Sequence, residues 1–182
     1  ISVLGILLGF VPSIVFALLT GVSVSLALWL AFAAAFAIGI RDFLHAKMIR
    51  MLDITCLMLF AMLALYTGFI QPSLPVQAVR LIADIVLLLL ALISMAMKIP
   101  FTEQYLRDEL PERFWDTPEF LRAAHVLSGV WAAAFFVMAV ADALTTFEHR
   151  LSFALDVAIG LAAMALAIGF TVRYSARLPA SQ

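Results

Sequence analysis

Three aspartates, Asp84, Asp142 and Asp156, stand inside long runs of apolar residues. A carboxyl group in a membrane-spanning helix is costly, about 3 kcal/mol at mid-span on insertion scales, so each needs a partner, a polar cavity or an ion. Arg80 precedes Asp84 by one helical turn, a spacing that predicts an ion pair within one helix. Arg150 lies upstream of Asp156, and Asp142 lies near the end of its own apolar run. Arg80, Asp84, Asp142 and Asp156 therefore form a candidate polar cluster. The bland form of it is an Arg80–Asp84 pair plus two acids reaching water near helix ends; the functional form is a pocket in which carboxylates take a proton or a cation. Asp53, three residues after Arg50, reads as a local pair with it.

Other chemistry is sparse. His125 sits within an apolar run with Ser128 one turn away, which predicts a buried hydrogen-bonded pair. His45 and His149 fall in connections, so no two imidazoles share the depth that a bis-histidine haem needs. No HExxH, CxxC, glycine-rich phosphate loop or GxSxG occurs. The sequence thus assigns no catalytic residue, no cofactor and no metal, and it does not read as an enzyme. The lone Cys56 allows no intrachain disulfide.

The elements that must position these residues are membrane spans. Ile1 to Ile40 carries no charge and is interrupted only by Thr20-Gly21-Val22-Ser23. Forty helical residues would reach about 60 Å, twice the hydrocarbon core of a bilayer, so the run is a hairpin of two spans. The same logic gives six helices, near 3–19, 23–40, 51–70, 79–98, 119–143 and 151–173. With 65% hydrophobic and 13% charged residues, the 182-residue chain reads as a single all-α transmembrane domain, 1–182, folded in hairpins. Ile1 in place of methionine reads as further residues preceding it, and residues 1–19 are too long and uncharged for a signal remnant.

Gln71-Pro72-Ser73-Leu74-Pro75 predicts a helix-breaking turn. Thr117-Pro118-Glu119 predicts a helix start, with Thr117 as the cap. Within the connection 99–118, Thr102 to Leu110 predicts a short helix along the cytoplasmic interface, ended by Pro111. Phe101, Tyr105 and Leu106 would face lipid there, and Tyr105, Arg107 and Trp115 form a candidate interaction surface. Gly5 and Gly9 in the first helix, and Ala154, Ala158 and Ala162 in the sixth, are small-residue stripes expected to pack helices closely. Ala31, Ala35 and Gly39 do the same in the second.

From Lys98 onward the order of residues resembles a known family. Lys98-Ile99-Pro100 closes the fourth helix, followed by Leu127-Ser128-Gly129-Val130-Trp131, Phe135-Phe136 and Ala141-Asp142. This pattern is similar to that of the intracellular septation protein A family of bacterial inner-membrane proteins, with Ser128 and Asp142 where that family has asparagines. The resemblance implies an inner-membrane role in envelope upkeep, cell elongation or septation, and no established reaction or cofactor. The expectation is a non-enzymatic scaffold or interaction partner of the septation type. The alternatives are a small ion- or proton-coupled transporter or channel using the outer carboxylates, and an accessory subunit of a larger membrane complex. Expected partners are membrane lipids and other membrane proteins, with homo-oligomers allowed by the small-residue stripes; a net charge of −1 gives no reason to expect nucleic acid.

Orientation follows from the basic residues. Arg41, Lys47, Arg50, Lys98, Arg107, Arg113, Arg122, Arg173 and Arg177 share one side, and only Arg80 and Arg150 take the other. That asymmetry places both termini in the cytoplasm and the three carboxylates in the outer half of the membrane. Cysteines introduced near Gln71 and Thr146 should accordingly be labelled by an impermeant thiol reagent from the periplasmic side. Labelling from the cytoplasm alone would reverse the topology.

Overall fold

The computed structural model describes residues 8–46, 50–148 and 152–177, and among these the regular structure is entirely helical. Helix α1 (Val11–Leu19) turns at Thr20 into α2 (Val24–Ala46). Helix α3 (Met51–Leu65) runs on as a π-helical turn, Tyr66–Ile70, before the two prolines. Then come α4 (Val76–Ala96), α5 (Phe101–Glu109), a single 3-10 turn (Glu112–Phe114), α6 (Pro118–Phe147) and α7 (Phe153–Ser175). Thr117 caps α6 as its sequence predicts, its hydroxyl accepting from the Phe120 amide at 3.3 Å.

Among the described residues five helices, α2, α3 with its π turn, α4, α6 and α7, are long and apolar enough to cross a membrane. Their outward faces carry large exposed apolar side chains, among them Met62, Phe69, Leu92, Phe136 and Leu166. Water would not tolerate such a surface, and the chain is a multi-pass membrane protein. The expected first span, 3–19, begins outside the described residues together with Gly5; Val11–Leu19 by itself is about 14 Å long.

Buried hydroxyls cost little here because they bond back to their own helices. Thr67 donates to the Leu63 carbonyl, Thr145 to Ala141 and Thr171 to Ala167, each at 2.8–2.9 Å. The middle of the bundle is aromatic: Phe10 stacks on Trp131 with ring centroids 3.9 Å apart and leans on Phe135 at 5.8 Å.

Helix α5 occupies a different environment from the expected one. Phe101, Thr102, Tyr105 and Leu106 are buried in protein rather than turned toward lipid. An amphipathic helix has one apolar face, and here α6, the start of α3 and Gly9 and Phe10 just before α1 cover it. Gly9 leaves no room for a side chain beneath the Tyr105 hydroxyl. Thr102 donates to the Ala124 carbonyl of α6 at 2.8 Å and its hydroxyl lies 2.8 Å from that of Ser128. Ser128 is therefore the partner of Thr102 and not of His125, whose Nδ1 lies 2.9 Å from the Leu121 carbonyl oxygen. Burial pushes the Tyr105 phenol well above its ordinary pKa, with Asp53 adding to the effect.

The corner before α5 is a Schellman motif. Ile99 N–H donates to the Ser94 carbonyl and Lys98 N–H to that of Met95, both at 3.0 Å, with Lys98 in the left-handed region at φ 60°. The Ser94 hydroxyl then accepts from the Phe101 amide at 3.2 Å. A lysine in that conformation carries strain that glycine would not. Lys98→Gly should stabilise the protein by about 1 kcal/mol and raise its thermal midpoint in detergent. A lowered midpoint would show that the lysine side chain itself holds the corner.

Candidate functional site

Arg80 and Asp84 lie in the first turns of α4, Asp142 near the end of α6, and Asp156 in the first turn of α7. Because α4, α6 and α7 are successive antiparallel neighbours, these positions meet at one end of the bundle, opposite α5. Ser152 caps α7, accepting from the Leu155 amide at 3.3 Å, so Asp156 sits at the positive end of a helix.

The structure brings all four residues together but pairs them differently from the helical spacing. The Arg80 guanidinium lies 3.2 Å from Asp142 and 3.6 Å from Asp156, on two other helices. Asp84 is not its ion-pair partner at that range; its carboxyl faces that of Asp142 instead. The physical reason is reach. A guanidinium on a long stem extends past its own helix, and two fully buried carboxylates across the interface attract it more than one at the cleft wall. Arg80 also lies over the Phe153 ring, 5.9 Å from its centroid. Gly160, one turn beyond Asp156, lies against the guanidinium: a methyl group there would stand 3.4 Å from it, in ordinary contact.

Asp142 and Asp156 are wholly buried and Asp84 is 6% exposed. One oxygen of Asp84 and both oxygens of Asp142 and Asp156 have no hydrogen-bond partner among the described residues. Among the described residues, which do not include Arg150, one guanidinium thus stands among three carboxyl groups in an apolar surround. Such an excess of acid is held only if protons, a cation or water complete it.

Beside the cluster lies a cleft of about 260 Å³, with Arg80 and Asp84 on its wall and Ser13, Phe16, Phe135 and Met164 among the rest of its lining. Sequence reading missed this cleft, because nothing in Ser13 or Thr20 of α1 announces that they come to face α4 and α7. Gly160, at helical spacing from Asp156, is the signal that was available.

The other residues singled out from sequence fall elsewhere. Arg50 lies near enough to act on Asp53, but its close ion pairs are with Asp42 at 2.6 Å and with Asp108 of α5, to which it donates from Nε at 3.1 Å. Burial opposes the Arg50 charge, but Asp108 and Asp42 outweigh it and hold its pKa above the ordinary arginine value. Asp53 meets Tyr105, whose hydroxyl lies 3.5 Å away. Tyr105, 2% exposed, is thereby removed from any docking surface. Arg107 and Trp115 remain at the surface, the guanidinium 5.3 Å from the indole ring and paired with Glu103 at 2.6 Å. Gly9 is buried in a helix contact. Ala154, Ala158 and Ala162 are exposed, since α7 buries the opposite face, Asp156, Gly160, Met164 and Ala167. That stripe does not pack this bundle.

No family model, curated protein or solved structure matches the chain.

Removing Arg80 leaves only acids among the described residues of this cluster. Arg80→Gln should cost about 3–5 kcal/mol of stability. Adding Asp156→Asn to it should recover part of the loss, read as a thermal midpoint in detergent. Additive losses in the double variant would mean that Arg80 and Asp156 do not interact.

Proposed function

We propose that the chain is a non-enzymatic protein of the bacterial inner membrane that takes up a proton or small cation at the carboxylate cluster, in the manner of a small ion- or proton-coupled carrier. The carrying observation is the excess of buried acid around Arg80, open to a cleft through Asp84. A protein that needed only rigidity would hold these helices with apolar side chains at lower cost. The proposed topology has six spans with both termini in the cytoplasm, supported by the distribution of basic residues. It sets the cluster in the outer half of the bilayer and α5 at the cytoplasmic surface.

A second reading, a scaffold of the septation type, has its own support. Lys98, Pro100, Ser128 and Trp131, through which the sequence resembles that family, gather where α4, α5 and α6 join. Membrane partners for either reading would find exposed small residues at Ala154, Ala158 and Ala162 of α7.

Proton flux into liposomes carrying the purified protein separates the two. Carrier activity predicts flux above that of empty liposomes, abolished by Asp156→Asn with membrane insertion unchanged. A wild-type protein that moves neither protons nor monovalent cations would leave the scaffold reading in its place.

A further inference from the structure

The cleft beside the cluster has a chemistry of its own. Its body is apolar, formed by Phe16, Leu87, Phe135 and Met164, and at about 260 Å³ it falls just below the usual range of small-molecule pockets, about 300–1,000 Å³. Its rims are Leu18 of α1 and Phe153 and Leu161 of α7, all exposed on the outward surface of the bundle. In a multi-pass protein that surface meets lipid, so the cleft is reached sideways, from the membrane. Its charged wall is Arg80 and Asp84, and Ser13 and Thr20 add hydroxyls to the lining. The Arg80 guanidinium already faces Asp142 and Asp156, at 3.2 and 3.6 Å. Asp84 keeps a buried oxygen without a hydrogen-bond partner.

We propose that this cleft binds a lipophilic amine drawn from the bilayer, its hydrocarbon body between α1 and α7 and its ammonium group against Asp84. The proposal rests on the carboxylate cluster being the working site and names the class of cation it takes. A cation fits because it reduces the excess of acid, whereas an anion would compete with two buried aspartates for Arg80. An apolar body fits because water-soluble ions gain nothing from the walls. The Asp84 carboxyl on the cleft wall supplies orientation, since a hydrogen bond between an ammonium donor and a carboxylate is stronger than one between neutral groups.

The test is calorimetric titration of 4-phenylbutylamine into the full chain in lipid nanodiscs, with protein-free nanodiscs as the blank and 4-phenylbutanol as the uncharged counterpart. Saturable binding of the amine and none of the alcohol is expected. Asp84→Asn should weaken it at least about tenfold. Ala17→Trp, which adds bulk at the α1 rim without touching a charge, should weaken it as well, and it carries the test if Asp84→Asn fails to fold. Equal binding by amine and alcohol, or binding unchanged in Ala17→Trp, would overturn the proposal. So would absence of amine binding by a protein that still moves protons, and that result would leave the carrier reading intact.

Discussion

Charge in a medium without water is the constraint on which this bundle depends. Asp142 and Asp156 are completely buried on two different helices, and Arg80 comes from a third to stand between them. Lipid provides no hydrophobic drive for helices to associate, so the attraction of a guanidinium for two carboxylates supplies part of what holds α4, α6 and α7 in register. Gly160 of α7 lies against the same guanidinium. Among the described residues the same arrangement leaves more acid than base, and that imbalance is what a proton or cation would relieve.

The opposite end is closed by hydrogen bonds among mostly neutral groups. Ser94, Thr102 and Ser128 tie the α4–α5 corner to α6, and Gln104 accepts from the Met51 amide at the start of α3 at 2.8 Å. Arg50 adds a charged clasp from Asp42 across to Asp108. Between the two ends lies the aromatic layer of Phe10, Trp131 and Phe135, which contains few groups able to interact with an ion. Among the described residues five buried carboxylate oxygens lack a hydrogen-bond partner at the Arg80 end, on Asp84, Asp142 and Asp156, against one at the other end, on Asp53, and that difference makes the cluster the place where a ligand changes the energy of the protein most.

Much of the helical framework was legible from residue type alone, because an uncharged run of twenty residues has few alternatives to a span. Thr117-Pro118 marked the start of α6, and the prolines after Gln71 marked the break before α4. That the three aspartates share one end of the bundle was legible too, since each lies near a helix end on the same side of the expected topology. What the sequence withheld was adjacency. Helical spacing offered Asp84 to Arg80, His125 to Ser128 and Arg50 to Asp53, and in all three cases a residue from another segment, or a backbone carbonyl, took the partner's place. Local spacing says which groups are close along one helix, but a long side chain chooses among everything within its reach. The apolar face of α5 gave no sign of whether lipid or protein would cover it, and the alanine stripe of α7 marked a surface rather than an interface.

The most direct measurement of the central claim is a distance between the Arg80 side chain and its acids in lipid. Solid-state NMR can provide it, by rotational-echo double-resonance between guanidinium nitrogen and aspartate carboxyl carbon in liposomes, with Arg80 identified by its loss in Arg80→Gln. Strong dephasing of the Arg80 nitrogens, reduced by Asp142→Asn and by Asp156→Asn, is the predicted result, in keeping with separations of 3.2 and 3.6 Å. Dephasing that survives both changes and vanishes only in Asp84→Asn would return the arginine to its own helix and contradict the account.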